Sequence, residues 1–399
     1  MVAEPASANG SSAHRPSSVI VVGAGLVGLS CAWRLGLRGH DVQLIDAGNR
    51  PGHPNGSQAA LGVLMARVFH RSSGRSWRLR QQSLELWGQW RQELASRGLP
   101  IPWRQGLLLL AASSADLERQ RLLGADPRRQ TLGLEHWDQS RLEALSPELP
   151  SGALGGLHSP DDGQIDPGKA LEAIVRDSAR LGITALSDSA VALEPVGQGW
   201  RVLLEGGGHS EAAWVVLAGG VGLRGLLASL GRELAMEPVL GQAMELERVD
   251  AGAAHTPDWN WPGVINWQGA NLIPRPDLAA GDRFWLGATL EPGQAADAAA
   301  LSALRSLNGT APAWLQQAQE RRHWQGLRPR PVGRAAPVLE AIAPGVLLAS
   351  GHYRNGVLLA PATAAWVLEQ IESGRTDAQE PAEQPLGQPT GVVGWPTSR

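Results

Sequence analysis

The feature that most constrains this chain lies near its start, where an apolar run, a glycine-punctuated turn and a periodic apolar stretch follow one another. Val19-Ile20-Val21-Val22 is continuous and β-branched, which reads as a strand buried on both faces. Gly23-Ala24-Gly25-Leu26-Val27-Gly28 comes next, and then Leu29, Ala32, Trp33 and Leu37 recur at helical spacing. Gly36 falls on the same face, where it allows close packing at a small loss of helix propensity. Gly39 is placed to cap the helix, and Asp41 to Asp46 reads as the next strand. This order of elements opens a dinucleotide-binding βαβ unit. Gly23 permits the tight turn, Gly25 lets a pyrophosphate approach the backbone, and Gly28 lets helix and strand pack closely. The helix N-terminus faces the phosphate charge, and Asp46 ends the second strand where a carboxylate accepts from a ribose diol. Glycines alone would be weak evidence; a purely structural turn is the lesser reading only because every element occurs in order. The unit does not separate FAD from NAD.

A chain of 399 residues, 43% hydrophobic, has material for two or three domains with ample cores. A net charge of −3 argues against a nucleic-acid partner. Cys31 is the only cysteine, which excludes an internal disulfide and points to a reducing, cytoplasmic setting. Residues 1–18 are small and polar with no apolar h-region, so they read as a disordered tail and not a secretory leader. Residues 374–399, rich in Pro, Gln, Glu and Gly, read as a second tail. No apolar run is long enough for a transmembrane segment. Ten scattered histidines give no metal-type cluster, so no metal is expected.

A second parallel-sheet section begins near residue 155. Asp166-Pro167 before Ala170, Leu171, Ile174 and Val175 reads as an N-cap and N1 proline. Asp161, Asp162 and Asp166 read as capping and turn acids, since no calcium-loop spacing follows. Strands are expected at Ala190–Leu193, Trp200–Leu204 and Trp214–Leu217. The last ends in Ala218-Gly219-Gly220, which either admits a ligand or simply turns the chain. Pro238–Arg248, Asn271–Pro274 and Arg283–Leu290 read as separate strands, making the middle of the chain α+β. Arg67, Arg71, Arg75 and Arg78 fall at helical spacing and read as a solvated helix face, with an anionic-partner patch as the alternative. Sixteen tryptophans against two phenylalanines and one tyrosine indicate that tryptophan fills ordinary core positions, Trp87 and Trp90 among them.

The segment from Gly351 through His352, Tyr353, Arg354, Asn355, Gly356, Val357 and Leu358 to Thr363, taken with the glycine turn and Asp46, resembles the D-amino-acid-oxidase superfamily of FAD enzymes. Within it the chain is most similar to the glycine oxidases of thiamine biosynthesis. Residues 57–63, 161–167, 238–241, 286–290 and 326–329 support the likeness, which spans about 19–372. The resemblance implies an α/β plus α+β fold: a Rossmann-like FAD-binding domain from 19–66, 155–235 and 323–373, interleaved with an antiparallel or mixed-sheet substrate domain from 67–154 and 236–322.

Carried over position by position, the likeness puts Gly23, Gly25, Leu26, Val27 and Gly28 in the dinucleotide turn, and Asp46 and Ala47 at the adenosine ribose. Gly56 and Ser57 match positions near the pyrophosphate, and Leu61, Gly62 and Val63 the loop against the flavin. Val191 matches the residue whose backbone meets adenine, and Gly220 is counted with the cofactor contacts. His352 to Leu358 match the segment at the flavin N1/O2 edge, where helix dipole and N–H groups stabilise negative charge. Arg328 and Arg354 match the substrate's cationic, catalytic anchors, suited to a carboxylate. Asn271 stands where glycine oxidases tend to offer a tyrosine; it can bind a carboxylate but gives no aromatic wall. Gly222 replaces a frequent tryptophan. Covalent attachment in sarcosine-oxidase relatives needs a cysteine beside the flavin, and Cys31 lies in the first helix, so the FAD is expected to be non-covalent.

The implied reaction is oxidative deamination of glycine or another small amino acid: hydride passes from Cα to flavin N5, the imine hydrolyses to an oxo acid and ammonia, and O₂ becomes H₂O₂. Some relatives use a lysine to activate oxygen; the only lysine here, Lys169, sits in a helix cap, a poor place for that role, and His323 and His352 each read either as a substitute positive charge or as a plain packing residue. Two other readings stand beside this one. The first is a D-amino-acid dehydrogenase or sarcosine-oxidase-like enzyme using another acceptor. The second is a catalytically inactive FAD-binding assembly protein. A homo-oligomer is compatible with all three.

Overall fold

The β-branched run forms the strand Ser18–Val22, central in a six-stranded sheet of a computed structural model that describes residues 16–48, 56–249, 259–277 and 282–374. Residues 1–15 and 375–399 of the two expected tails lie outside the described residues. Ser18–Val22 pairs in parallel with Asp41–Asp46 on one side and Trp214–Leu217 on the other. Thr184–Ser187 and Val346–Ser350 extend the sheet in parallel, and Val338–Ala343 closes one edge antiparallel. The strand residues Val19 to Val22 and Trp214 to Leu217 are buried, as expected for a sheet covered on both faces.

The helix Leu26–Leu37 packs on this sheet, with Gly39 (φ 81°) just beyond its C-terminus. Gly36 lies where a Cβ would press on the Ile183 side chain at 2.8 Å, so the glycine inside the helix serves packing. Trp33 is fully buried, stacks edge-on against Trp90 at 5.0 Å and donates from Nε1 to Asp177 at 2.8 Å. Trp87 and Trp90 point from the helix Gly74–Ser96 into the same core, so the tryptophans do fill core positions. The helix Pro167–Arg180 begins as expected, with Asp166 accepting from the Lys169 N–H at 2.9 Å. Val175 departs from the expected apolar face and is exposed; Ala170 and Ile174 carry the burial.

The second sheet is long and almost wholly antiparallel. Its order runs Glu291–Pro292, Met236–Glu247, Arg283–Gly287, Ala270–Pro274, Val264–Trp267, Trp103–Ala111, Gly155–Ile165 and Val63–Leu64. Gln319–Pro331 pairs along Met236–Glu247, and Glu135–Trp137 along Gly155–Ile165. Only Val264–Trp267 and Trp103–Ala111 run parallel among these pairs. The middle of the chain is therefore α+β, although the strand expected to reach Leu290 ends at Gly287. The parallel section expected from residue 155 starts only at Thr184–Ser187, because Gly155–Ile165 pairs antiparallel in this second sheet. A three-stranded antiparallel ribbon, Ala190–Val196, Gly199–Leu204 and His209–Ala212, lies apart from both sheets.

The four arginines expected on one helical face are not on one. The helix starts only at Gly74, preceded by Ser73 as its N-cap residue, so Arg67 and Arg71 belong to the loop before it. Arg67 instead donates its backbone N–H to Asp162 and faces Glu85 and Asp161. Spacing alone could not reveal the break, because the Ser72-Ser73-Gly74 turn interrupts the register.

Candidate active site

The glycine turn joins the two ends of the first βαβ unit. Gly23 adopts φ 107°, and a Cβ there would lie 2.8 Å from the backbone of Ala218. The small residues after Trp214–Leu217 thus let two turns close on each other, which settles one role for Ala218 and Gly219. A Cβ on Gly28 would overlap the Gly23 carbonyl oxygen. No side chain caps the helix that follows Gly25. The Leu26 N–H is met instead by the Ser57 hydroxyl at 2.9 Å, which brings the expected pyrophosphate-side residue to the turn. Leu26 itself is core and Val27 packs partly against it. Asp46 accepts from the Ala24 N–H at 2.7 Å and the Gly48 N–H at 2.8 Å, holding its carboxylate at the turn, with Ala47 exposed beside it.

Gly56 packs onto the Gln319–Pro331 strand, where a Cβ would meet the Leu327 carbonyl oxygen at 2.6 Å. Leu61, Gly62 and Val63 run along Gly155–Ile165: the Leu61 carbonyl accepts from Gln164, and Gly62 (φ 75°) accepts from the Ile165 N–H at 3.0 Å. Asp162 fixes the next residues, its buried carboxylate accepting the N–H groups of Ala66, Arg67 and Val68. Asp162 thus serves that loop clamp, and Asp166 is spent on its cap and on Arg275 at 2.6 Å. Val191 is the residue dropped from register between Ala190 and Ala192, so the ribbon bulges at the expected adenine position. Gly220 (φ 59°) opens a 3₁₀ turn beside Ser350.

His352 to Leu358 pass from the strand Val346–Ser350 through a 3₁₀ turn at Tyr353–Asn355 into the helix Gly356–Glu372. Tyr353, the chain's only tyrosine, holds φ 53°, a left-handed conformation uncommon outside glycine. Val357 and Leu358 face the core. His352 is buried and shares a 2.8 Å hydrogen bond with Thr363 Oγ1. Burial, with Arg75 adding to it, pushes its pKa down to about 3. His352 is therefore neutral at physiological pH and cannot supply the positive charge expected of it, and His323 is exposed on the outer stretch of its strand. The unfolded histidine takes a proton below about pH 6.5 while the folded one does not until about pH 3. Stability should accordingly fall as pH drops through that window, by about 2 kcal/mol from pH 6.5 to 5. His352→Gln should flatten the acid limb in denaturant melts; an unchanged limb would refute this.

Arg328 rises from Gln319–Pro331 and donates through Nη1 to the carbonyls of Leu240 at 3.2 Å and Thr289 at 3.1 Å. Its guanidinium lies over Gly241, where any Cβ would overlap it. Burial and then Arg354 lower its pKa to about 10, so it remains a cation. Arg354 is exposed on the 3₁₀ turn. Asn271 reaches neither arginine in its hydrogen bonds: it accepts from Asn266 at 2.9 Å and donates to the Gly287 carbonyl at 3.3 Å. Sequence reasoning missed Arg80. Its Nη1 donates to Asn355 Oδ1 at 2.9 Å and toward the Met65 carbonyl at 3.4 Å, with the guanidinium 4.0 Å over the Phe69 ring. Burial lowers its pKa to about 10; Asp162 opposes the shift and Arg354 adds to it. Arg80 and Arg328 thus each sense the Arg354 charge on the turn that opens the last helix. Gly241 could have been noticed as a lone glycine in an apolar strand, a usual mark of close approach.

The residues present fit an FAD: a glycine turn with no room for a Cβ at Gly23 or Gly28, an acid at the end of the second strand, a bulge at the adenine position and a helix start with no side-chain cap. Comparison with known proteins agrees. The family described as DAO, FAD dependent oxidoreductase, matches residues 18–370. The chain is 26% identical over 360 residues to the glycine oxidase of Bacillus licheniformis, covering 88% of this chain and 92% of that protein. It is 29% identical over 364 residues to the bifunctional protein ThiO/ThiG of Synechocystis, covering 89% of this chain and 51% of that protein. The crystal structure of glycine oxidase from Geobacillus kaustophilus superposes with a TM-score of 0.78 at 25% identity, covering 92% of this chain and 97% of that one. Cradle, fold and match over nearly the whole chain lead to one conclusion: this protein belongs to the DAO family of FAD-dependent oxidoreductases.

Proposed function

We propose that this chain catalyses the oxidative deamination of glycine or another small amino acid, with the product serving thiamine (thiazole) biosynthesis in a cytoplasmic setting. The observation that carries the reading is the approach of a buried Arg328 and an exposed Arg354 at the turn opening the last helix. Arg328 keeps its Nη1 on two carbonyls, which fixes the guanidinium plane and leaves its remaining edge to a carboxylate. Arg354 closes on the same carboxylate from the solvent side. Holding that group at two points orients the substrate's Cα–H, so geometry supplies most of the rate enhancement. FAD, when bound, would supply the hydride acceptor and the route for two electrons to O₂, which becomes H₂O₂, while water hydrolyses the released imine to an oxo acid and ammonia. The FAD-binding domain is assembled from 19–66, 155–235 and 323–373 and the substrate domain from 67–154 and 236–322, with Arg328 and Arg354 meeting the substrate from the FAD-binding side. On this reading the FAD is non-covalent, since a cysteinyl link needs a cysteine beside the flavin and Cys31 is buried within the first helix.

Lys169 favours a second reading: its exposed ammonium is paired with Glu172 near the start of its own helix, so an acceptor other than O₂ is the alternative. A panel of small amino acids against the flavin absorbance tests both. Glycine should bleach the anaerobic protein, and air should restore the colour with stoichiometric peroxide. Bleaching without peroxide would favour the dehydrogenase, and a yellow protein that no amino acid bleaches would end both. Among the described residues no helix is long and apolar enough to cross a membrane.

A further inference from the structure

We propose that Arg80 is a positioning residue that keeps Asn355 from capping the last helix, so that the helix's first N–H groups stay available to the flavin; this rests on the FAD reading above. Asn355 occupies the N-cap position of Gly356–Glu372, and asparagine is among the strongest N-cap residues. Its side chain nevertheless makes no cap bond there, because Oδ1 accepts from Arg80 Nη1 at 2.9 Å. An uncapped helix start is normally unfavourable, since its N–H groups lack partners. It becomes useful where an electron-rich group is meant to dock on it.

The helix Gly74–Ser96 is built to hold this arrangement. Arg80, Ser83 and Trp87 lie on one of its faces and reach the last helix at three successive points. Pro361 has no N–H, so the Val357 carbonyl loses its usual helical donor, and Trp87 Nε1 replaces it at 3.0 Å. One residue on, the Ala362 N–H donates to Ser83 Oγ at 3.0 Å. Two of these contacts repair the proline; the third diverts the cap. Arg80 is itself pinned by the Phe69 ring and sits near the Met65 carbonyl, two residues beyond the stretch 61–63 expected against the flavin. A residue needed only for packing would not require a buried cation at the one place where it removes a cap.

The test uses the full chain and two readouts besides turnover: the FAD dissociation constant by fluorescence and the midpoint potential of the bound flavin. Arg80→Met releases Asn355 to cap the helix and should weaken FAD binding about tenfold. It should also lower the preference for reduced over oxidised flavin about tenfold, which for two electrons is about 30 mV. Arg80→Lys, which can still donate to Asn355, should stay within about threefold of wild type in FAD affinity. The double variant Arg80→Met with Asn355→Ala cannot form the cap and should regain that affinity. Equality of Arg80→Met with wild type in both readouts would overturn the proposal, as would a double variant that binds no better than Arg80→Met. If Arg80→Met does not fold, Arg80→Lys decides in the same two readouts: it should remain near wild type, and a tenfold loss of FAD affinity refutes the proposal. A wild-type protein that takes up no FAD is a separate outcome and strikes the FAD reading itself.

Discussion

Arg328→Met is expected to lower kcat/KM for a small amino acid by about 10²–10³ while the protein stays yellow. A charge-assisted bond to a carboxylate in a desolvated site is worth about 2–5 kcal/mol, and each 1.4 kcal/mol is tenfold in rate. Arg328 meets that condition, being buried and clamped on two carbonyls, and methionine fills most of its volume without a charge. The variant also leaves the Leu240 and Thr289 carbonyls short of a donor, so the melt should drop by about 1–3 kcal/mol. Arg354→Met should cost less, about tenfold and mostly in KM, because the exposed guanidinium is already hydrated. Steady-state kinetics on the two variants separate the roles. An Arg328→Met enzyme with wild-type kcat/KM would remove the carboxylate clamp from consideration.

Gly28→Val should abolish FAD retention. Its Cβ would overlap the Gly23 carbonyl oxygen and press on the Ala218 side chain at 3.0 Å, and none of these atoms belongs to a flexible chain end. The helix must then move off the strand, opening the turn that meets the pyrophosphate; overpacking of this kind typically costs about 1–3 kcal/mol before any ligand is considered. Gly222→Ala is the control, since a Cβ there meets nothing within 4 Å. It should leave the flavin-to-protein absorbance ratio and the melt unchanged, with surface substitutions of this kind usually within about 0.5 kcal/mol. Equal FAD content in both variants would mean that the first glycine turn does not hold the cofactor.

The stretch from Val19 to Asp46 was readable without coordinates because its determinants are local. Strand, turn, helix and terminal acid are set by residues within a few positions of one another, and the structure reproduces all of them. The capping of Pro167–Arg180 by Asp166 was legible for the same reason. Local spacing misled at Arg67 and Arg71, where a helical rhythm continued through a turn that ends it. Chemistry set by burial was also out of reach. His352 looks like a titrating group in the sequence, and only its enclosure by the last helix and Thr363 makes it neutral.

By itself, then, the sequence determined the nucleotide cradle and the kinship of the chain, but not which strands run parallel, since Gly155–Ile165 and the ribbon from Ala190 to Ala212 pair antiparallel. Cradle and kinship depend on neighbouring residues and on a long collinear likeness. Only the tertiary structure decided how the arginines are used. Arg80 finds Asn355 275 positions away, Asp162 clamps a loop 96 positions back, and Gly241 earns its place by making room for Arg328 across a strand pair. Such partners are chosen by the folding of distant segments into one low-dielectric space, where a buried charge must find its acceptors wherever the chain has brought them.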